Sequence, residues 1–311
     1  MPRHHDITVP DLAGRRALVT GASDGVGVHI AERLARAGAT VLLPVRNAAK
    51  GRAAADRIRA AVPGARLDVR TLDLSSLDSV RALADDLLRE GEPLHVLIGN
   101  AGLMTPPERK ASADGFELQL ATNHLGHAAL VGRLLPLLRE GRAHVTSQVS
   151  IAANRNAVHW DDLSWERSYD PFKAYSSSKI AFGLFAMELQ RRSEAGGWGM
   201  RSNLSHPGVT PTNLLASQPE LGRTGDSTEV KVIRVLARVG IAGTPRSAAL
   251  PAVLAATSPE ARGGRLYGPR GLGHIGGPPA EQAVYSRLTS EVDARRIWDV
   301  TRELTGVDLP A

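Results

Sequence analysis

The stretch ALVTGASDGVGVHIAERLARAG, residues 17–38, decides the fold of this chain. A short apolar run at 17–23 breaks into glycine, and 29–38 continues with helical spacing up to a final glycine. This pattern predicts a strand, a tight turn and a helix, with glycines spaced as GxxxGxG in the turn. In that context backbone amides and the helix N-terminus can face a pyrophosphate, although the spacing also fits a plain tight turn. The predicted cofactor contacts here are Gly21, Ser23, Asp24, Gly25, Val26 and Gly27.

The rest of the chain repeats this alternation of strand and helix. Continuous apolar runs that lie between helices are typical of buried parallel strands, so we predict an α/β, doubly wound parallel sheet (Rossmann fold) with right-handed crossovers. The predicted strands are 17–23, 40–47, 66–74, 94–102, 143–150 and the start of 200–214. The predicted helices are 29–38, 48–62, 76–91 with Ser75 or Ser76 as N-cap, 115–141, 174–193 and 293–307.

We expect a single domain with a small C-terminal extension on the substrate side. Residues 12–212 would form the cofactor and catalytic core, 213–280 a substrate lid and irregular loop, and 281–311 a C-terminal helix. The stretch 262–279 is rich in glycine and proline and is predicted to be irregular. Apolar residues between 230 and 239 fit either an ordinary packing helix or a mobile lid over a substrate cleft.

Composition excludes several classes of function. The chain has 311 residues and no cysteine, which excludes disulfides, thiol catalysis and cysteine-ligated metal. Its histidines lack an HExxH-like arrangement, so no metal site is predicted. The net charge of +6 is scattered among acids, which argues against nucleic-acid binding. No apolar run approaches the roughly 18 residues of a membrane span, and the polar N-terminus does not resemble a signal peptide, so we expect a cytoplasmic enzyme.

The end of the second strand bears on cofactor choice. It reads Leu43-Pro44-Val45-Arg46-Asn47, without the acid that would bind a ribose 2′-hydroxyl. An arginine there suits the 2′-phosphate, so Arg46 and Asn47 are predicted contacts and NADP(H) is preferred over NAD(H). Arg46 as a plain surface residue is the alternative.

Tyr175 and Lys179 stand four residues apart in AYSSSK. On a helix such a pair shares one face, so the ammonium can lower the phenol pKa from about 10 and make it usable near neutral pH. The spacing is common in helices, and the upstream glycine loop is what gives it significance.

Several motifs in a fixed order carry a family resemblance. They are the glycine loop, Asp73-Leu74, Asn100-Ala101-Gly102, Asn123 in TNHLG, a serine near the end of the fifth strand, and YSSSK. With these motifs, residues 12–212 resemble the short-chain dehydrogenase/reductase family. The C-terminal DARRIWDVTRELTGV is similar to the tail of its retinol dehydrogenase and protochlorophyllide reductase-like branch.

The resemblance implies roles for individual residues. Tyr175 would be the general acid/base while hydride moves between nicotinamide and the substrate carbon, and Lys179 would bind the nicotinamide ribose. Asn123 would hold a water that links Lys179 to solvent. The cofactor contacts implied by the resemblance are Asp73, Leu74, Asn100, Ala101, Gly102, Tyr175, Lys179, Pro207, Gly208, Val209 and Thr212.

The catalytic serine has two candidates. The family usually carries two adjacent serines, whereas this chain offers Ser147 and Ser150. We favour Ser150, because the retinol dehydrogenase branch carries an insertion that lengthens the distance to the tyrosine; it would hydrogen-bond the substrate oxygen. Ser147 is the alternative, and either could instead be a strand-end serine bonded to backbone.

The substrate is the least determined feature. The insertion at 159–172 carries Trp160, Trp165 and Tyr169, which could fill a core gap or line a cleft for a hydrophobic alcohol or carbonyl. The resemblance also implies a homodimer or homotetramer. The alternatives are a catalytically silent NADP(H)-binding regulatory or scaffold protein and, less favoured by the glycine spacing and the short tail, an epimerase or dehydratase of nucleotide sugars.

Overall fold

The computed structural model describes residues 6–210 and 242–310. Its centre is one eight-stranded sheet with the order β3-β2-β1-β4-β5-β6-β7-β8. The strands are β1 Arg16–Val19, β2 Thr40–Val45, β3 Arg66–Thr71, β4 Val96–Gly99, β5 His144–Gln148, β6 Arg201–Ser205, β7 Leu266–Pro269 and β8 Pro279–Gln282. The pairings from β3 through β7 are all parallel, and β8 runs antiparallel to β7. The predicted doubly wound fold is confirmed.

Helices cover both faces of this sheet. Alternate residues of one strand point to opposite faces, and Leu18 belongs to a different core cluster from its neighbours Ala17 and Val19. The helices are α1 Gly25–Arg36, α2 Ala48–Ala61, α3 Leu77–Glu90, α4 Leu118–Leu120, α5 Gly126–Arg133, α6 Leu135–Glu140, α7 Pro171–Ala195, α8 Pro245–Ala248, α9 Leu250–Thr257 and α10 Glu291–Thr305. Ser76 is the N-cap of α3, accepting from the amide of Ser79 at 3.3 Å.

The strand order places the predicted site. Numbering runs outward in opposite directions from β1 and β4, which makes the gap between them the switch point of the sheet. Ligands of open parallel sheets bind beyond the carboxyl ends of the strands at this point. The glycine loop follows β1 there, and Asn100 follows β4.

The prediction that 262–279 is irregular was wrong in part. The stretch contains β7 and the first residue of β8, with Leu266 paired to Leu204 of β6 and Pro269 to Pro279. Leu266 and Tyr267 are buried, so a short apolar strand is stabilised by sheet pairing despite the surrounding glycines and prolines. The possible helix or lid around 230–239 lies outside the described residues.

The single long helix predicted at 115–141 is also interrupted. A five-residue π-helical turn at Ala121–Leu125 separates α4 from α5, with the amide of Gly126 donating to the carbonyl of Ala121. Pro136 stands in the first turn of α6, so the chain breaks again before it. Asn123 lies inside the π turn, a rare helical form that is frequent at functional sites.

The C-terminal helix α10 packs along α7 and also contacts α5 and the π turn. Trp298 is fully buried there, stacked on Phe185 with ring centroids 5.0 Å apart, and its indole donates to the carbonyl of Pro310 at 3.0 Å. The predicted C-terminal helix is therefore present and covers part of α7. The division into core, lid and tail, and the oligomeric state, stay predictions.

Candidate active site

The glycine loop closes tightly on itself after β1. A Cβ on Gly27 would lie 2.3 Å from the carbonyl oxygen of Gly21, so no larger residue fits there. Gly21 has a φ of +69°, in the left-handed region that favours glycine. Asp24 caps α1 by accepting from the amide of Gly25 at 2.7 Å. The loop thus brings the backbone of the α1 N-terminus to the switch point, where an anionic group can approach it.

Thr20, just before this loop, joins the ends of two strands. Its Oγ1 accepts from the amides of Asn100 and Ala101, both at 2.9 Å. Asn100 returns a bond from Nδ2 to the Thr20 carbonyl at 2.9 Å and accepts from Gln148 Nε2 at 2.7 Å. The carboxyl ends of β1, β4 and β5 are therefore held in one network, with Asn100 and Ala101 next to the glycine loop.

Asn123 is fully buried and its side chain is fully engaged. Oδ1 accepts from the amide of Leu103 at 2.9 Å, and Nδ2 donates to the Leu103 carbonyl and to Ser178 Oγ, both at 3.0 Å. A Cβ on Gly102 would lie 3.0 Å from Asn123 Oδ1 and 3.4 Å from Lys179 Nζ, so Gly102 separates the two side chains. Asn123 thereby fixes the loop after β4 to α7, and the predicted water contact stays a prediction.

Lys179 is buried at the end of β5. Its Nζ donates to the main-chain carbonyl of Gln148 at 2.9 Å, and burial lowers its pKa to about 8. Below that pH the side chain is a cation in an enclosed site.

Tyr175 is buried as well, and its pKa departs from the sequence prediction. Burial raises the pKa of the phenol, and a hydrogen bond with Ser150 lowers it by less than burial raises it. The expected lowering by Lys179 was wrong for this structure, because that ammonium is directed to the Gln148 carbonyl and desolvation of the phenolate dominates. The phenol is therefore protonated at neutral pH.

The structure separates the two serine candidates. Ser150 is near enough to the Tyr175 phenol to affect its pKa, and it caps the 3₁₀ turn at Ile151–Asn154, its Oγ accepting from the amide of Ala152 at 3.2 Å. Ser147 is buried within β5, paired with Gly99 on one side and Leu204 on the other. Only Ser150, of these two, touches the phenol.

The segments that follow β2 and β3 carry further predicted cofactor contacts, at the carboxyl ends of the parallel strands. Arg46 and Asn47 are exposed after β2, and Asn47 caps α2 by accepting from the amide of Lys50 at 3.0 Å. Asp73, after β3, accepts from the amide of Ser75 at 2.9 Å. Leu74 is buried against the start of α5, where a Cβ on Gly126 would lie 2.1 Å from the carbonyl oxygen of Leu74.

The loop after β6 is held by a segment that sequence reasoning missed. Gly208 has a φ of +73°, and the amide of Val209 donates to the Ile275 carbonyl at 2.9 Å. A Cβ on Gly208 would lie 2.6 Å from that same carbonyl oxygen. Pro207, Gly208 and Val209 are therefore positioned by the connection between β7 and β8, which only the hairpin brings near. Thr212 lies outside the described residues.

The aromatic residues of the insertion pack internally. Trp165 is buried and stacks on His159 with centroids 4.3 Å apart, while the guanidinium of Arg296 lies 4.1 Å from the ring centroid of Trp160. Tyr169 donates to the Pro106 carbonyl at 3.0 Å and accepts from Gln119 Nε2 at 3.1 Å. Of the two interpretations offered by the sequence, the packing one fits these contacts.

Two residues of the site were not singled out for the roles they have here. Gln148 links Asn100 to Lys179, and its position beside the serine region could have drawn attention to it. His127 Nε2 lies 2.9 Å from Thr20 Oγ1, a contact between distant segments that no local pattern indicates. Across residues 6–210 and 242–310, no three acidic or histidine side chains converge as a metal site would need, and no helix there is long and apolar enough to cross a membrane.

Comparisons with known proteins agree with the family resemblance of the sequence motifs. The family model described as short chain dehydrogenase matches residues 15–221. Human retinol dehydrogenase 13 is 35% identical over 96% of this chain and 87% of its own length, and mouse polyprenol dehydrogenase is 37% identical over 96% and 86%.

Solved structures agree with these relatives. An uncharacterized protein from Mycobacterium paratuberculosis superposes with a TM-score of 0.76 at 33% identity, covering 97% of both chains. The RhlG/NADP active-site complex from Pseudomonas aeruginosa has a TM-score of 0.62 at 27% identity, covering 82% of this chain and 94% of that one.

Proposed function

This chain belongs to the short-chain dehydrogenase/reductase family of oxidoreductases, and we propose that it interconverts a carbonyl and an alcohol with NADP(H). The observation that carries the proposal is the Ser150 hydroxyl close enough to the Tyr175 phenol to lower its pKa, with Lys179 one helical turn along α7. This group stands beyond the carboxyl ends of the central strands, beside a glycine loop that suits a dinucleotide.

The nicotinamide cofactor, when bound, supplies or accepts the hydride. Tyr175 carries the proton: its raised pKa keeps the phenol protonated, which suits it to donate to a carbonyl oxygen during reduction. Ser150 hydrogen-bonds that same oxygen and stabilises its developing negative charge. Lys179, a cation below pH 8 or so and held on the Gln148 carbonyl, would bind the hydroxyls of the nicotinamide ribose.

Selection of NADP(H) rests on Arg46. The residue is exposed at the end of β2, and residues 43–47 contain no carboxylate to bind a ribose 2′-hydroxyl. A guanidinium binds a 2′-phosphate with charge-assisted hydrogen bonds. The RhlG complex, which is a relative of the same fold, was solved with NADP, and this supports the assignment.

A hydrophobic substrate is favoured by Phe172. This side chain is 39% exposed in the first turn of α7, three residues before Tyr175 and on the same helical face. Retinol and polyprenol, which give their names to similar proteins, are apolar alcohols. We therefore propose that Phe172 contacts an apolar part of the substrate.

The test follows NADPH absorbance with purified protein across a panel of apolar aldehydes and ketones, and NADP⁺ with the matching alcohols. The Tyr175→Phe variant should bind NADPH as the wild type does and lose about 10²- to 10⁴-fold in turnover, the contribution of a positioned acid. A fully active variant would refute the role of Tyr175. NADPH binding without turnover of any panel member would instead support a silent cofactor-binding protein.

A further inference from the structure

His127 and Thr20 form a buried contact that the proposed chemistry does not use. The histidine lies in the first turn of α5, directly after the π turn, and its Nε2 is 2.9 Å from Thr20 Oγ1. His127 is 1% exposed and Thr20 is fully buried. A hydrogen bond therefore joins the helix that follows Asn123 to the residue that precedes the glycine loop.

The direction of this bond follows from counting protons at Thr20. A hydroxyl oxygen has two acceptor sites and one hydrogen. Both acceptor sites face amides, those of Asn100 and Ala101, each at 2.9 Å. The hydroxyl hydrogen remains, and His127 Nε2 at 2.9 Å is a nearer acceptor for it than the Ile98 carbonyl at 3.5 Å. His127 must therefore accept at Nε2 and carry its own proton at Nδ1.

The surroundings of the ring agree with this protonation. Burial, helped by the nearby Lys179 cation, lowers the pKa of His127 to about 3, so the ring is neutral. The main-chain carbonyls of Thr122 and Asn123 lie near the ring and raise its pKa, while Nδ1 makes no hydrogen bond that meets the usual geometry. These carbonyls belong to the π turn.

Packing leaves the ring little freedom. It stacks on Phe182 with centroids 4.9 Å apart, and Lys179 Nζ lies 5.9 Å from the centroid of the same Phe182 ring. On the sheet side, a Cβ on Gly99 would lie 3.1 Å from His127 Cδ2. The imidazole is thus wedged between the end of β4 and α7, in the layer beneath Lys179.

We propose that His127 is a positioning residue: it accepts the Thr20 hydroxyl proton at Nε2, turns Nδ1–H toward the π turn, and so sets the cofactor loop against the segment carrying Asn123. The role serves the redox reaction and in that respect rests on the proposed function. With the hydroxyl hydrogen fixed on His127, both acceptor sites of Thr20 stay on Asn100 and Ala101. Without that acceptor the hydroxyl can rotate toward Ile98, and the strand ends that border the cofactor lose their alignment.

The experiment compares His127→Leu, which removes the acceptor, with His127→Gln, whose amide oxygen can occupy the Nε2 position. NADPH dissociation constants are read from cofactor fluorescence, which needs no substrate. We expect His127→Leu to weaken NADPH binding about five- to tenfold, as for one buried hydrogen bond, and His127→Gln to stay within about twofold of wild type. Equal weakening in both variants would overturn the proposal.

A matched control is Thr301→Val. His124, inside the π turn, has its Nε2 2.8 Å from Thr301 Oγ1 in α10, so this variant removes a buried His–Thr bond of the same kind away from the glycine loop. It should lower the melting temperature and leave NADPH affinity unchanged. A drop in affinity equal to that of His127→Leu would show that any loss of a buried bond is felt at the cofactor, and would overturn a specific role for His127.

Nuclear magnetic resonance of wild-type protein labelled with ¹³C,¹⁵N-histidine tests the tautomer even if a variant fails to fold. We expect the Nδ1–H form, with no titration near pH 6.5, where an exposed histidine changes charge. An Nε2–H tautomer, or a titration in that range, would overturn the proposal. A wild type that binds NADPH but reduces nothing would refute the proposed function alone, since neither readout depends on turnover.

Discussion

The ammonium of Lys179 donates a hydrogen bond to the main-chain carbonyl of Gln148 at 2.9 Å. This bond places the cation at the end of β5, two residues before Ser150, while its own helix carries Tyr175 one turn earlier. Charge and phenol thus share α7 and meet different residues at the end of β5, and burial lowers the pKa of Lys179 while it raises that of Tyr175.

The stability of the protein should reflect that buried cation. Lys179 has its pKa lowered from 10.5 to about 8, so the unfolded chain binds more protons between these pH values and stability rises with pH across them. Below pH 8 the charged side chain is a net cost, at most about 3 kcal/mol at about 1.4 kcal/mol per pKa unit. We expect Lys179→Met to unfold at higher urea concentration at neutral pH while losing activity. A variant less stable than wild type there would contradict this.

The two serines can be distinguished by a pair of matched variants. Ser150→Ala removes the hydroxyl that contacts Tyr175 and should lower kcat about 10²- to 10³-fold, as for loss of one donor to a developing oxyanion. Ser147→Ala, inside β5, should leave kcat within about twofold. Loss of a hydroxyl buried within a strand affects the stability of the protein rather than its chemistry. Steady-state kinetics of both variants decides, and a larger loss at Ser147 would reverse the assignment.

Cofactor choice should respond to Arg46. Arg46→Asp replaces a partner for the 2′-phosphate with one for the 2′-hydroxyl, so the ratio of kcat/KM for NADPH to that for NADH should fall about tenfold or more. Arg52→Asp, at an exposed arginine on α2, makes the same change in net charge and serves as the control. If both substitutions change the ratio equally, only long-range electrostatics is at work.

Substrate affinity should respond to Phe172. Phe172→Ser removes apolar contact area, worth roughly 25 cal/mol per Å². The substitution should therefore raise KM for an apolar carbonyl several-fold. NADPH affinity should not change. Lys173→Ala, at the neighbouring exposed position of α7, should have no effect on either quantity. An unchanged KM for Phe172→Ser would place the substrate elsewhere.

Much of the fold could be predicted because local patterns agree with it. These patterns depend only on residues that are close in the chain, as for the glycines after β1, the apolar strand runs and the Ser76 cap. The hairpin of β7 and β8 could not be predicted in this way, because Leu266 becomes a strand only by pairing with Leu204, far away in the chain. The π turn was hidden for a similar reason: residues 115–141 have helical periodicity on both sides of it, and the break depends on contacts of Asn123 with the loop after β4.

By itself the sequence determined the alternation of strands and helices, the glycine loop between the first strand and the first helix, and the residue types of the candidate site, because these depend on local periodicity and on residue identity. The tertiary structure decided which serine meets Tyr175, where the Lys179 proton is directed, and which way the Thr20 hydroxyl points. Those outcomes depend on distances between segments remote in the chain and on the desolvation that packing imposes, and neither quantity is written in any local pattern.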